Sequence, residues 1–220
     1  MIIAEVGINH QGDMELAERM IESAKQYGAD MVKLQLYDSD RLARSPEAYK
    51  VLKEAELTYK NAIRLFDYGR TCGAEVFFSV FDVERVRWCE EMGVKRYKIA
   101  ATMRDKATMD AVVATKKPII VSLPKVVDLE VPPGDWLFCV PEYPTPIEHA
   151  RIPPMSWFEG ISDHTIGLDV AKIAIARGAQ IIEKHFSLDH QTGADAAWSM
   201  TPAELRELKD WEIKCQTILT

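Results

Sequence analysis

Two lysines interrupt otherwise apolar runs, Met31-Val32-Lys33-Leu34 and Tyr97-Lys98-Ile99-Ala100, and two histidines, His164 and His185, stand at the ends of two further runs of the same kind. Glu5, Gln35, Ser79, Ser122, Glu142, Tyr143, Ser162, Asp163 and Glu183 occupy or follow the ends of such runs as well. An unpaired polar group in a buried run costs on the order of 1 to 3 kcal/mol, and a charge costs more, so polarity repeated at every run end points to a site. Two imidazoles at adjacent run ends suit an open divalent-metal centre whose other positions go to water and substrate, the arrangement a Lewis-acid catalyst requires. Two hydrogen-bonded strand-end histidines satisfy the same spacing, and neither H-E-x-x-H nor another local metal signature is present. Lys33 and Lys98, with the hydroxyls of Ser122 and Ser162, form a cation-plus-donor set for a phosphate or carboxylate. Desolvated barrel lysines also act as Schiff-base nucleophiles, and the plainest alternative is an ion pair with Glu5 or Glu183 or a solvated strand end.

The elements that must hold these groups alternate. Short runs rich in β-branched residues cover Ile2 to Val6, Met31 to Gln35, Glu75 to Val80, Arg96 to Ala100, Ile119 to Leu123, Trp136 to Val140, Phe158 to Ser162 and Gln180 to His185. Helical periodicity fills most gaps: Met14 to Tyr27 behind an Asp13 cap and before Gly28, Pro46 to Arg70, Val83 to Met92, Lys106 to Thr115, Leu168 to Arg177, and Pro202 to Ile218. Eight such β-α units predict an α/β fold of the (β/α)₈ TIM-barrel type, one domain over residues 1–220. The glycine-rich first turn of a doubly wound sheet is absent. Prolines in 124–135 and in 143–155 predict shortened crossovers after strands five and six, a compact barrel. In this fold the active site lies at the C-terminal strand ends, where the polar groups stand.

Composition narrows the class. With 27 basic and 34 acidic residues, a net charge of −7 and no block of either sign, the chain does not read as a nucleic-acid binder. No apolar run is long enough to span a membrane, and Glu5 within the first run argues against a signal peptide. Cys72, Cys89, Cys139 and Cys215 lack C-x-x-C spacing, which fits neither a zinc site nor a disulfide framework; a reducing cytoplasm is expected.

The motifs Ile3-Ala4-Glu5-Val6-Gly7-Ile8-Asn9-His10-Gln11-Gly12-Asp13, Gly28-Ala29-Asp30-Met31-Val32-Lys33-Leu34-Gln35, Ser79-Val80-Phe81-Asp82, Tyr97-Lys98-Ile99-Ala100, Tyr143-Pro144-Thr145-Pro146, Ile161-Ser162-Asp163-His164-Thr165 and Ile181-Ile182-Glu183-Lys184-His185-Phe186-Ser187-Leu188-Asp189 follow one another in family order. The chain resembles the barrel domain of the sialic acid synthases, the N-acetylneuraminate synthase family. The resemblance implies condensation of phosphoenolpyruvate with an N-acyl-mannosamine-type aldose, giving a nonulosonic (sialic-acid-like) acid and phosphate. It implies a divalent metal, manganese first and magnesium or cobalt next, held by His164 and His185. Lys33, Lys98, Ser122 and Ser162 match positions that hold phosphoenolpyruvate, while Glu5, Gln35, Tyr143, Glu183 and Asp195 match positions around sugar, metal and water. Phosphoenolpyruvate and a small sugar are the expected partners, and a homodimer is compatible with the family.

Several positions depart from the family pattern. Ser122-Leu123-Pro124-Lys125 replaces the usual Ser-Thr-Gly-Met, Ala101 stands where a serine is usual, and Pro141 stands where an asparagine is usual. The sequence ends at Thr220, after the eighth helical segment, so the C-terminal antifreeze-like domain is expected to be absent. These departures keep two other readings in play: a metal-dependent barrel aldolase that does not use phosphoenolpyruvate, and a non-catalytic barrel acting with a separate partner chain.

Overall fold

The computed structural model describes residues 1–103, 105–124 and 132–219. Eight parallel strands close into a barrel in chain order: β1 (Ile2–Gly7), β2 (Met31–Leu36), β3 (Glu75–Val80), β4 (Tyr97–Ile99), β5 (Ile119–Leu123), β6 (Asp135–Cys139), β7 (Gly160–Asp163) and β8 (Ile181–His185), the last pairing with β1. The helices are α1 (Met14–Tyr27), α2 (Ser39–Leu42), α3 (Pro46–Ala55), α4 (Tyr59–Cys72), α5 (Val83–Met92), α6 (Lys106–Ala114), α7 (Asp169–Ala176) and α8 (Pro202–Leu219). The TIM-barrel expectation is therefore met. No helix among the described residues is long and apolar enough to cross a membrane.

Local chemistry explains the boundaries. Asp13 caps α1 by accepting from the backbone N–H groups of Glu15 and Leu16, the helix buries Leu16, Ala17, Met20, Ile21 and Ala24, and Gly28 ends it at φ 111°. The continuous helix expected over Pro46 to Arg70 is instead broken at Glu56 to Thr58. Thr58 leaves helical geometry to accept from Asn61 N, Leu57 is buried, and the Glu56 carboxylate accepts from the Ser39 hydroxyl at 2.5 Å. A tertiary bond and a new cap thus outweigh helical period.

The crossover after β6 contains two 3₁₀ turns, Ile147–His149 and Met155–Trp157, and no α-helix, as its prolines predict. Phe158 packs edge-on to Phe138 at 5.6 Å and helps cover that side of the sheet. Of the connection between β5 and β6, residues 125–131, including Lys125, lie outside the described residues.

Inside the barrel, Ile3, Met31, Phe77, Ile120, Leu137 and Ile181 form an apolar cluster separate from the larger core between sheet and helices. Two residues further along the same strands come Glu5, Lys33, Ser79, Ser122, Cys139 and Glu183, since alternate side chains share a face. Parallel register sets Glu5 beside both Lys33 and His185, Ser79 beside Lys98, and Ser162 beside Glu183. A charged layer therefore lies over an apolar floor.

Candidate active site at the C-terminal end of the barrel

The charged layer forms the base of a cleft of about 330 Å³. Lys33 Nζ lies 2.8 Å from Glu5 Oε2, donates to Ser79 Oγ at 2.9 Å and stands 3.6 Å from Glu183 Oε1. Lys98 Nζ donates to Ser122 Oγ at 2.7 Å and lies 3.5 Å from the same Glu183 oxygen, which also accepts from Ser162 Oγ at 3.0 Å. Both lysines are almost fully buried, and the ion-pair alternative is thus realised within the cleft itself. The environments of the two ammonium groups differ. Burial opposes the charge on Lys33, but Glu183 and Glu5 outweigh it and raise its pKa. Burial dominates at Lys98 and lowers its pKa, Glu183 offsetting only part. Burial also opposes the charge on Glu183, yet Lys33 and Lys98 hold its pKa below the usual carboxylate value.

The histidines flank this layer. The rings of His164 and His185 stand 5.3 Å apart, and Tyr143 lies edge-on to His164 at 4.4 Å. Burial, then the neighbouring His185 and the surrounding lysines, push the His164 pKa well down, so its imidazole is neutral, the form that ligates metals. His164 Nδ1 lies 3.9 Å from Cys139 Sγ. His185 Nδ1 lies 3.2 Å from Asp195 Oδ2 without the alignment of a hydrogen bond. Glu183 Oε2 is likewise buried without a hydrogen-bond partner. Among the described residues no three His, Cys, Asp or Glu donors close on one point. Two imidazoles beside unsatisfied buried polar atoms fit a divalent cation that keeps open positions.

The mouth is less polar. Ile8, Leu42 of α2, Leu52 of α3 and Phe81 line it, so α2 and α3 in part cover the cleft. Gln35 Nε2 donates to Glu5 Oε1 at 2.8 Å at its edge. Gly7, at φ +54°, lets β1 end there, because a Cβ at that position would sit 3.2 Å from each atom of that pair.

The NeuB family model matches residues 20–126 and 136–219. This chain belongs to the NeuB family. The resemblance drawn from its motifs is thereby confirmed. The NeuB-family chain is 30% identical to the N,N'-diacetyllegionaminic acid synthase of Legionella pneumophila subsp. pneumophila, over 99% of this chain and 72% of that protein. It is 29% identical to a pseudaminic acid synthase of Campylobacter jejuni subsp. jejuni serotype O:2, over 95% and 71% respectively. The crystal structure of an N-acetylneuraminic acid synthetase from Leptospira borgpetersenii serovar Hardjo-bovis, in complex with citrate, superposes with a TM-score of 0.91 at 31% identity, covering 99% of this chain and 84% of that one.

In this NeuB-family barrel, Glu5, Lys33, Gln35, Lys98, Ser122, Tyr143, Ser162, His164, Glu183, His185 and Asp195 all line the one cleft. Ala101 and Thr102 line it too. Asp163 does not. Its neighbours Ser162 and His164 face the cleft, so strand alternation turns Asp163 outward, where its carboxylate accepts from Lys184 Nζ at 3.1 Å and from Thr165. Glu142 sits outside the cleft lining and pairs with His149 at 2.8 Å. Cys139 and Asn9 were not singled out from the sequence. Cys139 reads as core in the run Leu137-Phe138-Cys139, and Asn9 finds its partners more than 170 residues away.

Proposed function

We propose that the chain condenses phosphoenolpyruvate with an N-acyl-mannosamine-type aldose to give a nine-carbon 2-keto sugar acid of the sialic-acid type and inorganic phosphate. The observation that carries this reading is the buried layer of two lysines and three serine hydroxyls beside a histidine pair, at the C-terminal end of a NeuB-family barrel. Lys33 and Lys98 supply positive charge for the phosphate and carboxylate of phosphoenolpyruvate, and Ser79, Ser122 and Ser162 supply hydroxyl donors. In a water-poor site such contacts are stronger than in solution.

His164 and His185 would hold the divalent metal, which when bound polarises the sugar aldehyde. C3 of phosphoenolpyruvate bonds to the aldehyde carbon, whose oxygen takes up a proton and becomes a hydroxyl; water adds at C2, and phosphate leaves as its bond to C2 breaks and the new C2 hydroxyl releases its proton to become the ketone. Lys98, the ammonium whose pKa burial lowers, gives its proton to the departing phosphate. Glu183 Oε2, free of other hydrogen bonds, accepts from the water that adds. Glu5, Gln35, Tyr143 and Asp195 line the side where the sugar would lie. Ala101 stands where the resemblance expects a phosphate-binding serine, with Thr102 adjacent, and Pro141 offers no side-chain amide to a sugar, so the departures touch both the phosphate and the acceptor contacts.

Phosphate release from phosphoenolpyruvate across N-acyl-mannosamine-type and simpler aldoses, with manganese added, tests the reading. Turnover with at least one aldose is expected, and none with any would overturn it. Phosphoenolpyruvate should also raise the melting temperature; stabilisation by manganese alone would favour an aldolase that does not use it.

A further inference from the structure

We propose that Asn9 is a positioning residue for the metal side of the site, holding the backbone of Asp195 so that the Asp195 carboxylate faces His185 Nδ1. The inference rests on the reading that His185 holds a metal. Asn9 is wholly buried, and its amide bonds on both sides. Its Nδ2 donates to the Phe186 carbonyl at 3.0 Å and to Ser199 Oγ at 3.0 Å, while its Oδ1 accepts from the backbone N–H of Asp195 at 2.8 Å. Ser199 Oγ in turn donates to the Asp195 carbonyl at 2.8 Å, so both backbone polar groups of Asp195 are held by this knot.

Asp195 stands at the N-cap of the 3₁₀ turn Ala196–Trp198, yet its side chain makes no capping bond. An aspartate at that position ordinarily caps. Here the carboxylate lies 3.2 Å from His185 Nδ1, and the Trp198 ring of the same turn stands 6.2 Å from the His185 ring. Asn9 also bonds the residue next to His185, so one amide ties the loop after β1 to both the histidine strand and its carboxylate. The packing leaves no slack: Gly193 sits at φ +118°, and a Cβ there would meet Asn9 Oδ1 at 2.3 Å. A ligating imidazole whose second nitrogen faces a carboxylate has its tautomer and ring orientation fixed, and losing that partner typically weakens metal binding by about 10- to 100-fold.

The test is titration of the metal-free full chain with manganese by calorimetry, comparing wild type, Asn9→Ser, Ser199→Ala, Asp195→Asn and the two double variants that contain Asp195→Asn. Asn9→Ser and Ser199→Ala should each weaken manganese affinity by roughly tenfold or more while cooperative thermal unfolding persists. Once Asp195→Asn has removed the carboxylate, adding either change should alter affinity by less than about twofold, because the two act through one group. A purely structural asparagine would lower the melting temperature and leave manganese affinity unchanged, or would weaken it equally in both backgrounds; either result overturns the inference. If Asn9→Ser does not fold, the Ser199→Ala pair gives the same comparison. Wild-type protein that binds no manganese overturns the metal reading and this inference together, whereas normal wild-type binding without the Asn9 and Ser199 effects overturns this inference alone.

Discussion

A strand-end histidine contributes little core packing, which separates the two roles open to His164 and His185. Replacement of either by Ala is expected to abolish manganese binding and phosphate release while a cooperative thermal transition remains; unchanged manganese affinity in both variants would end the metal assignment. Lys98→Met is the internal control, losing stabilisation by phosphoenolpyruvate and keeping manganese binding. His10 behaves differently because it is wholly buried in the loop after β1, with Nδ1 accepting from Gly12 N at 3.1 Å and Nε2 unpartnered. Burial lowers its pKa to about 4, with Asp13 offsetting only part of the effect. The unfolded chain therefore binds the extra proton first, so this contribution is constant above the ordinary histidine value and stability falls as pH drops from about 6.5 toward 4, by roughly 3 kcal/mol in full. Denaturant titrations without added metal across that window should give a shallower slope for His10→Gln than for wild type. Equal slopes would place the histidine in water.

Among the elements, the break between α3 and α4 separates a helix that reaches the cleft through Leu52 from one that contributes nothing to its lining among the described residues. Thr58→Ala removes the cap of α4 and is expected to cost about 1 kcal/mol in chemical denaturation, with no cost if the helix ran through. The same break marks the limit of what the chain's pattern discloses. Parallel strands buried on both faces and capped helices such as α1 are written in local periods and end residues, so they are legible one segment at a time. The bond from Glu56 to Ser39 joins segments whose proximity exists only after folding, and nothing near Glu56 announces it. Strand-end polarity likewise brought most of the named residues to one cleft, because barrel topology collects strand ends, whereas Asp195 followed only from the resemblance. It failed at Asp163, where adjacent residues on a strand face opposite ways and only the register says which. Asn9 was legible as part of a motif and illegible as a partner of Asp195, since that contact spans 186 residues.

At the scale of the whole molecule, the interior is stratified, with Ile3, Met31, Phe77, Ile120, Leu137 and Ile181 beneath the charged layer. Phe77 is fully buried there, and Phe77→Ala should lower unfolding free energy by about 3 to 5 kcal/mol. Manganese affinity should persist in the folded fraction, because the cavity opens below the histidines rather than beside them. Loss of metal binding in a variant that remains folded would show that the floor also shapes the site.

Among the described residues, a floor of that kind makes the barrel a blind alley whose door is the mouth at the C-terminal strand ends. On the proposed reading, the phosphate-bearing substrate occupies the lysine layer at the dead end and the sugar lies toward the door, so a sugar that arrived first would stand in the way. Traffic then runs in a fixed sequence, with phosphoenolpyruvate ahead of the aldose. On the way out, phosphate left at the bottom waits behind the longer acid. Product inhibition would record this queue as phosphate competing directly with phosphoenolpyruvate.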